Sequence, residues 1–242
     1  MRTLSEAHVG AQTSLARDFA CFTTSREFDT RKFSWQEAGP RLQELIVGQF
    51  SVEPRAIAFA GQVHGNVVTA VTPRASRHVH FSNCDGLVTA EPGVMLAIRT
   101  ADCLPIVFVD DEAGVCSAIH AGWKGTLANI TRESIAAMER LGARRDRIRG
   151  WIGPAVCRDC YQVSEELIGD FVRAHGELGH FQEGRQLDLP MLNQLQARAC
   201  GLKTGALENS RLCTFTEEYL FHSHRRQGAL RGHQYTVCGF LE

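Results

Sequence analysis

The stretch VMLAIRTADCLPIVFVDDEAGVCSAIHAGW, residues 94–123, decides the fold class of this chain. It contains three short apolar runs, VMLAIRT, PIVFVD and VCSAIHAGW, with Asp or Gly in the segments that join them. Short apolar runs bounded by such residues are typical of buried β-strands. The stretch therefore predicts three consecutive strands with short connections.

Similar runs before and after this stretch extend the predicted sheet. Six of them are predicted strands: AIAFAG (56–61), VVTAV (67–71), GLVTA (86–90), IRGWIG (148–153), SRLCTF (210–215) and QYTVCGFL (234–241). Strands dominate up to about Trp123, and after it helices alternate with fewer strands.

Helices are predicted on either side of the strand-rich region. Ser34 and Glu37 fit a capping box that opens a helix toward Gln49. Three more helices are predicted: over 126–141, after Ser164 and after Leu189. No internal repeat or linker divides the chain. We expect an α/β or α+β protein, a single layered domain over residues 1–242 with a mixed β-sheet core flanked by helices.

The composition is that of a globular protein and excludes some classes of partner. Hydrophobic residues make up 44% of the 242 residues, and the formal net charge is -1. Such a balance lacks the basic footprint of a protein that binds nucleic acid or an acidic membrane surface. The start MRTLSEAHVG lacks the pattern of a secretion signal, and nine cysteines are not an even disulfide set. We expect a cytoplasmic protein with reduced thiols, and the oligomeric state stays open.

Three segments each place a potential soft metal ligand at the end of a predicted strand. These ligands are His64 in QVHG, Cys103 in RTADC and His120 in IHAGW. Side chains at strand ends converge on a crevice in layered α/β proteins. Cysteine and histidine are preferred zinc ligands, and three of them leave a fourth position open, as in catalytic sites. Lone histidines and cysteines are also common in cores and on surfaces, so spacing leaves both interpretations open.

Charged residues near these segments are candidates for catalysis. Arg99 and Asp102 lie beside Cys103, either as catalytic groups or as a buried structural ion pair. Asp85 either orients a ligating histidine or is a turn residue.

Two further pairs of residues have a chemistry-bearing pattern. Arg225 and Arg226, with His224, offer a positive fork to a phosphate or carboxylate group, or form a charged surface pair. Cys157 and Cys160 have CxxC spacing, but no second such pair completes a structural zinc site. We therefore expect no metal or redox role for that cysteine pair.

Six short motifs carry a resemblance to a known family: QVHGNVV, CDGLVT, RTADCLPIVF, IHAGWKGT, IGPAVCRDCYQV and SHRR. In this order they resemble the motifs of the multicopper polyphenol oxidase (laccase-domain) family. Its members also carry the names purine nucleoside phosphorylase and peptidoglycan editing factor. The resemblance runs from about Gln62 to the C-terminus, and it implies that His64, Cys103 and His120 are the metal ligands.

The resemblance also implies a function. It implies a zinc-dependent enzyme, with copper as the other candidate metal, that deaminates adenosine and phosphorolyses adenosine, inosine or methylthioadenosine. Its small-molecule partners would be a purine nucleoside and phosphate. Asp102 is a candidate acid for deamination, and Arg99 or Arg226 are candidate cations for binding phosphate.

The chain departs from the family pattern at two places, which keeps other functions open. A glycine loop usual near the N-terminus is replaced by FTTSREFD (22–29), and LRGH (230–233) replaces a Thr-Gly-Arg. The acids Glu27 and Asp29 in the first of these segments predict weakened phosphorolysis. Three alternatives remain: a copper polyphenol oxidase, an amide hydrolase in which His120 deprotonates Cys103, and an inactive metal-containing binding module.

Overall fold

The computed structural model describes residues 9–28, 34–72 and 78–241, and the strands among them form two six-stranded sheets and one hairpin. The strands are β1 (Val9–Gln12), β2 (Phe19–Thr24), β3 (Ala56–Ala60), β4 (Val68–Ala70), β5 (His78–Phe81), β6 (Gly86–Thr89), β7 (Val94–Thr100), β8 (Leu104–Asp110), β9 (Val115–Ala121), β10 (Arg149–Ile152), β11 (Gln182–Glu183), β12 (Gln186–Leu187), β13 (Leu207–Asn209) and β14 (Gln234–Phe240).

The α-helices lie mostly in the second half of the chain. They are α1 (Trp35–Phe50), α2 (Trp123–Leu127), α3 (Ile130–Arg140), α4 (Glu165–His175), α5 (Leu189–Ala199) and α6 (His224–Gln227). The predicted capping box is present at the start of α1. None of the helices in the described part of the chain is long and apolar enough to cross a membrane.

Both large sheets are mixed, as predicted. The first has the order β1-β2-β14-β7-β3-β5, with antiparallel pairs from β1 to β7 and parallel pairs from β7 to β5. The second has the order β13-β10-β8-β9-β6-β4, antiparallel in the centre and parallel at both edges.

The alternating side chains of β7 explain why its run in the sequence is apolar over five consecutive residues, Val94 to Ile98. Val94, Leu96 and Ile98 pack in the core between the two sheets, whereas Met95 and Ala97 pack under α1. Strands β8 and β9 alternate in the same way, between that central core and the core shared with α3 and α5. Successive residues of a strand face opposite sides, so a strand buried on both faces is apolar throughout. The result is four layers: helix, sheet, sheet and helices.

Two predicted elements are wrong in detail. The helix predicted over 126–141 is divided into α2 and α3, because Asn129 has a left-handed backbone (φ 57°) and its side chain accepts the N–H of Arg132. The strand predicted at 210–215 is absent from the described structure. The extended chain ends at β13, since Arg211 is left-handed (φ 59°), and Cys213 forms only an isolated bridge with Ala155.

Candidate metal centre

The three predicted ligands come together at one end of the sheets. His64 lies in the loop after β3, Cys103 in the connection between β7 and β8, and His120 near the end of β9. Their ligand atoms all lie within 4.8 Å of one another. Strands β8 and β9 pair with Pro105 opposite His120, which brings the Cys103 connection beside that histidine.

The centre is open to solvent on one side. His120 is buried, Cys103 is half-buried and His64 is exposed. The two imidazole rings are nearly perpendicular, at 82°, with their centroids 4.8 Å apart. An ion held by these three side chains would therefore be accessible from solvent, as in catalytic rather than structural metal sites.

The buried carboxylate of Asp85 holds the two histidines in place. Its carboxylate accepts four hydrogen bonds: from His120 Nδ1 at 2.8 Å and from the backbone N–H groups of Val63 at 3.0 Å, His64 at 2.9 Å and Gly65 at 2.7 Å. The bonds to the loop stabilise the left-handed backbone of His64, whose φ is 63°. The bond to Nδ1 leaves Nε2 of His120 for a metal.

The electrostatics of the centre favour a thiolate. Burial acts to raise the pKa of Cys103, but hydrogen bonds and charge from His120 and His64 lower it to about 6. Burial acts to lower the pKa of His120, but hydrogen bonds and charge from Asp85 and Cys103 raise it to about 9. The metal-free centre thus holds a thiolate beside an imidazolium, and a soft cation would take the place of the proton.

Gly122 leaves the space that a bound ion would need. A Cβ atom at this position would lie 3.1 Å from Cys103 Sγ, 3.4 Å from His64 Cδ2 and 3.6 Å from His120 Cε1. A glycine permits this close approach of backbone to the ligands. The donor set of two imidazoles and one thiolate, with room around it, fits zinc.

A cleft of about 660 Å³ opens from the centre. Its walls combine aromatic, cationic and apolar side chains: His64, Ala101, Asp102, Cys103, Trp123, Val156, Tyr161, Leu189, His224, Arg225 and Arg231. The guanidinium of Arg225 lies over the ring of Tyr161, 4.9 Å from its centroid. The cleft can hold a planar, partly charged small molecule.

Asp102 lines the cleft in a strained conformation. Its φ of 85° is unusual for a residue with a side chain. The Thr214 hydroxyl donates to one carboxylate oxygen at 2.6 Å, and the backbone N–H of Arg225 donates to the other at 2.7 Å. The carbonyl of Asp102 accepts the N–H of Val156 at 3.0 Å. Asp102 therefore joins three segments of the cleft wall.

Neither Arg99 nor Arg226 is among the described residues that line the cleft. Arg226 donates instead to three backbone carbonyls, those of Thr214, Phe215 and Phe221. Arg99 is exposed on β7, and its backbone pairs with the side chain of Gln62.

The arginines that do line the cleft are Arg225 and Arg231. In the sequence, Arg225 is a candidate only together with Arg226, and Arg231 lies in the segment that departs from the family pattern. The departure from the family pattern at residues 230–233 was the feature of the sequence that could have pointed to Arg231 as a cleft residue.

The altered N-terminal segment lies elsewhere. Phe28 is buried in the core under α1, and the backbone N–H of Arg26 donates to the carbonyl of Leu220 at 2.7 Å. Residues 25–28 are not among the described residues that line the cleft, and Asp29 lies outside the described residues. The question of phosphate binding therefore turns on the arginines of the cleft.

Fold and centre together define the class: a four-layer α/β protein in which two histidines and a cysteine meet beside an open cleft. The chain belongs to the family described as multi-copper polyphenol oxidoreductase laccase, whose model matches residues 37–240. The resemblance found in the sequence and the predicted fold class are both confirmed.

Relatives and a solved structure support this assignment. The chain is 42% identical over 183 residues to a purine nucleoside phosphorylase of Deinococcus radiodurans, covering 74% of this chain and 68% of that protein. It is 36% identical over 158 residues to adenosine deaminase RL5 of an unknown prokaryotic organism, covering 63% and 60%. The structure of YlmD from Geobacillus stearothermophilus superposes with a TM-score of 0.81 at 25% identity, covering 95% and 94%.

Proposed function

We propose that this protein is a zinc-dependent purine nucleoside enzyme. It would phosphorolyse adenosine, inosine and methylthioadenosine, and it would deaminate adenosine. The observation that carries the proposal is the convergence of His64, Cys103 and His120 at an aromatic and cationic cleft. The names of the relatives, purine nucleoside phosphorylase and adenosine deaminase, support both activities.

The walls of the cleft match the parts of these substrates. Trp123 and Tyr161 offer aromatic faces on which a purine can stack. Arg225, Arg231 and His224 supply donors for phosphate. When bound, zinc would act as a Lewis acid and would lower the pKa of water toward 7.

The two reactions make different demands on these side chains. Phosphorolysis joins a phosphate oxygen to the anomeric carbon of the sugar, and the base leaves with a proton. Deamination adds water to C6 of adenine and releases ammonia, so it needs no anion site. Asp102 is proposed to act in proton transfer. It is also proposed to position Arg225, because its carboxylate accepts the backbone N–H of Arg225. Arg226 is proposed to support the cleft wall, since it donates to the carbonyl of Thr214, whose hydroxyl bonds to Asp102. Arg99 is exposed on β7, and none of its described contacts connects it to phosphate binding.

Copper oxidation is the less favoured chemistry. The family description refers to several coppers, and such a centre needs a larger set of histidines. In the described part of the chain, two groups of three potential ligands converge, and one of them contains histidine. Two histidines and a thiolate suit a single zinc ion.

The cysteine hydrolase is the alternative that a specific observation favours. Cys103, His120 and Asp85 are arranged as nucleophile, base and orienting carboxylate. His64 also lies beside the sulfur of Cys103. A cysteine hydrolase needs no second imidazole at this position, so His64 favours a set of metal ligands over a catalytic triad.

Alkylation of Cys103 should separate these two roles. In the metal-free protein we expect its reaction with iodoacetamide to rise with pH around a midpoint near 6, because the thiolate forms above that pKa. Zinc should suppress the reaction at every pH. Mass mapping measures it, with Cys200 as the internal control, since burial raises the pKa of that thiol. Rapid labelling of Cys103 that zinc and chelator leave unchanged would favour the hydrolase.

The proposed function is tested by chromatography of adenosine incubated with zinc-loaded protein, with and without phosphate. Phosphorolysis predicts adenine that appears only with phosphate. Deamination predicts inosine without phosphate, and inosine together with its phosphorolysis product hypoxanthine when phosphate is present. If a zinc-loaded, folded protein forms neither adenine nor inosine, the proposal is contradicted and the binding module is favoured.

In the same assay, Arg225→Gln should weaken phosphorolysis more than deamination. The Asp102 contact uses the backbone of Arg225 and is retained, so the variant removes mainly the cation. We expect the KM for phosphate to rise about tenfold, as for loss of one charge-assisted hydrogen bond. Arg173→Gln on α4 is the control, because that arginine pairs at the surface with Asp170. An equal loss of both activities would assign Arg225 to the nucleoside instead.

A further inference from the structure

A second group of soft ligands lies behind the wall of the cleft. The sulfur atoms of Cys157, Cys160 and Cys213 all lie within 4.8 Å of one another. The sequence shows only the CxxC pair, and the expectation that it has no metal role rested on the lack of further ligands. Folding supplies the third ligand from the segment after β13.

Backbone pairing fixes this cysteine cluster. Ala155 and Cys213 form a parallel bridge, in which the N–H of Ala155 donates to Leu212 at 3.1 Å and the N–H of Thr214 donates to Ala155 at 3.0 Å. Cys157 and Cys160 then flank a single 3-10 turn. The cluster is therefore positioned by main-chain hydrogen bonds and does not depend on side-chain rotamers alone.

The surroundings of Cys213 suit a thiolate, whereas burial and the neighbouring thiols raise the pKa values of Cys157 and Cys160. The backbone N–H of Cys157 donates to Cys213 Sγ at 3.4 Å, and the N–H groups of Phe215 and Thr216 also face that sulfur. Such donors stabilise negative charge on a ligating sulfur. Cys213 is buried, whereas Cys157 and Cys160 are half-buried, so an ion can enter from solvent.

We propose that Cys157, Cys160 and Cys213 bind a second thiophilic divalent cation, zinc by preference, at a site separate from the His64, Cys103 and His120 centre. Zinc bonds to thiolate at about 2.3 Å, so sulfurs around one tetrahedral ion lie about 3.8 Å apart. The sulfurs of the cluster lie within 4.8 Å of one another, so small side-chain movements would bring them to the spacing around a zinc ion. Binding replaces up to three thiol protons, which are released to solvent, and it requires no oxidant.

This second ion would fasten two segments of the cleft wall together. Cys213 precedes Thr214, whose hydroxyl bonds to Asp102, and Cys160 precedes Tyr161, which lines the cleft. An ion at the cysteine cluster therefore fixes both neighbours without touching a substrate. Its proposed role is to hold the cleft wall, and its existence does not depend on the reaction in the cleft.

The test is metal stoichiometry of the full chain, purified under reducing conditions and loaded with zinc or cobalt. Wild type and Cys200→Ala, the control for loss of a half-buried cysteine outside both groups, should each hold two ions per chain. Cys213→Ala and Cys103→Ala should each hold one. With cobalt, the sulfur-to-metal absorption should be about three times stronger in Cys103→Ala than in Cys213→Ala, because three thiolates remain in one and one in the other.

Three results would overturn the proposal. They are a single wild-type ion that is lost in Cys103→Ala, two ions in Cys213→Ala, and a disulfide between Cys157 and Cys160 in protein isolated without air. Should Cys213→Ala fail to fold, Cys157→Ser at a half-buried position gives the same comparison. Loss of nucleoside activity with two bound ions would contradict the proposed function and leave the cysteine cluster standing.

Discussion

Replacing Cys103 with Ala is expected to lower kcat/KM for both proposed adenosine reactions about 1000-fold. The variant removes the thiol whose pKa the two histidines lower, and with it a proposed metal ligand beside the cleft. Lewis-acid stabilisation of a transition state amounts to several kcal/mol, and each 1.36 kcal/mol corresponds to about tenfold in rate. The measurement is formation of inosine and adenine at matched protein concentrations.

The controls for Cys103→Ala separate chemistry from folding. Cys103 is half-buried and its side chain is small, so the free energy of unfolding of the metal-free protein should change by no more than about 1 kcal/mol. Cys200→Ala should keep full activity. A Cys103→Ala variant that retains more than a third of wild-type activity would show that the centre is not the reactive one.

The three central strands could be predicted because burial on both faces leaves a direct trace in the sequence. β7, β8 and β9 are apolar at nearly every position, and each was predicted within one or two residues. β5 was missed because its sequence, HVHF, is short and half polar, and it lies at the edge of the first sheet. The division between α2 and α3 was missed because it depends on the backbone angle of Asn129 and not on an apolar pattern.

The candidate centre shows a similar limit. The ligand types and their place at strand ends could be predicted from motifs, whereas the third cysteine of the cysteine cluster could not, because long-range pairing brings it there. Choosing between Arg225 and Arg226 was also beyond the sequence. Both arginines lie on the short helix α6, and their order in the sequence does not say which of them faces the cleft. The packing shows that Arg225 lines the cleft, whereas the guanidinium of Arg226 donates to backbone carbonyls.

Asp85→Asn should damage both the stability of the protein and its affinity for metal, because one buried carboxylate serves both. Four hydrogen-bond donors converge on Asp85, and its side chain is fully buried. An amide of the same size has one acceptor oxygen and turns an N–H₂ group toward donors that then lack a partner. Breaking such a buried, charged network lowers the free energy of unfolding by about 3–5 kcal/mol.

The effect on metal follows from the same contacts. Each carboxylate oxygen of Asp85 accepts two of the four hydrogen bonds, so Asn, which keeps one oxygen, loses two of them. Either His120 and the His64 N–H lose their acceptor, or the N–H groups of Val63 and Gly65 do. Loss of such a partner lowers metal affinity about 10–100-fold. Urea unfolding measures the first effect, and competition with a chelator measures the second.

Asp110→Asn is the matched control that separates the two effects of Asp85→Asn. Asp110 is equally buried, and it accepts hydrogen bonds from the N–H groups of Ala113 and Arg144 and from the Arg147 guanidinium, at the far end of β8 from Cys103. Its substitution should lower the free energy of unfolding while the metal affinity of the folded protein stays that of wild type. If both variants weaken metal binding equally, the loss in Asp85→Asn reflects general destabilisation, and Asp85 has no special role in holding the histidines. If only Asp85→Asn weakens metal binding, the carboxylate of Asp85 sets the geometry in which His64 and His120 lie beside Cys103.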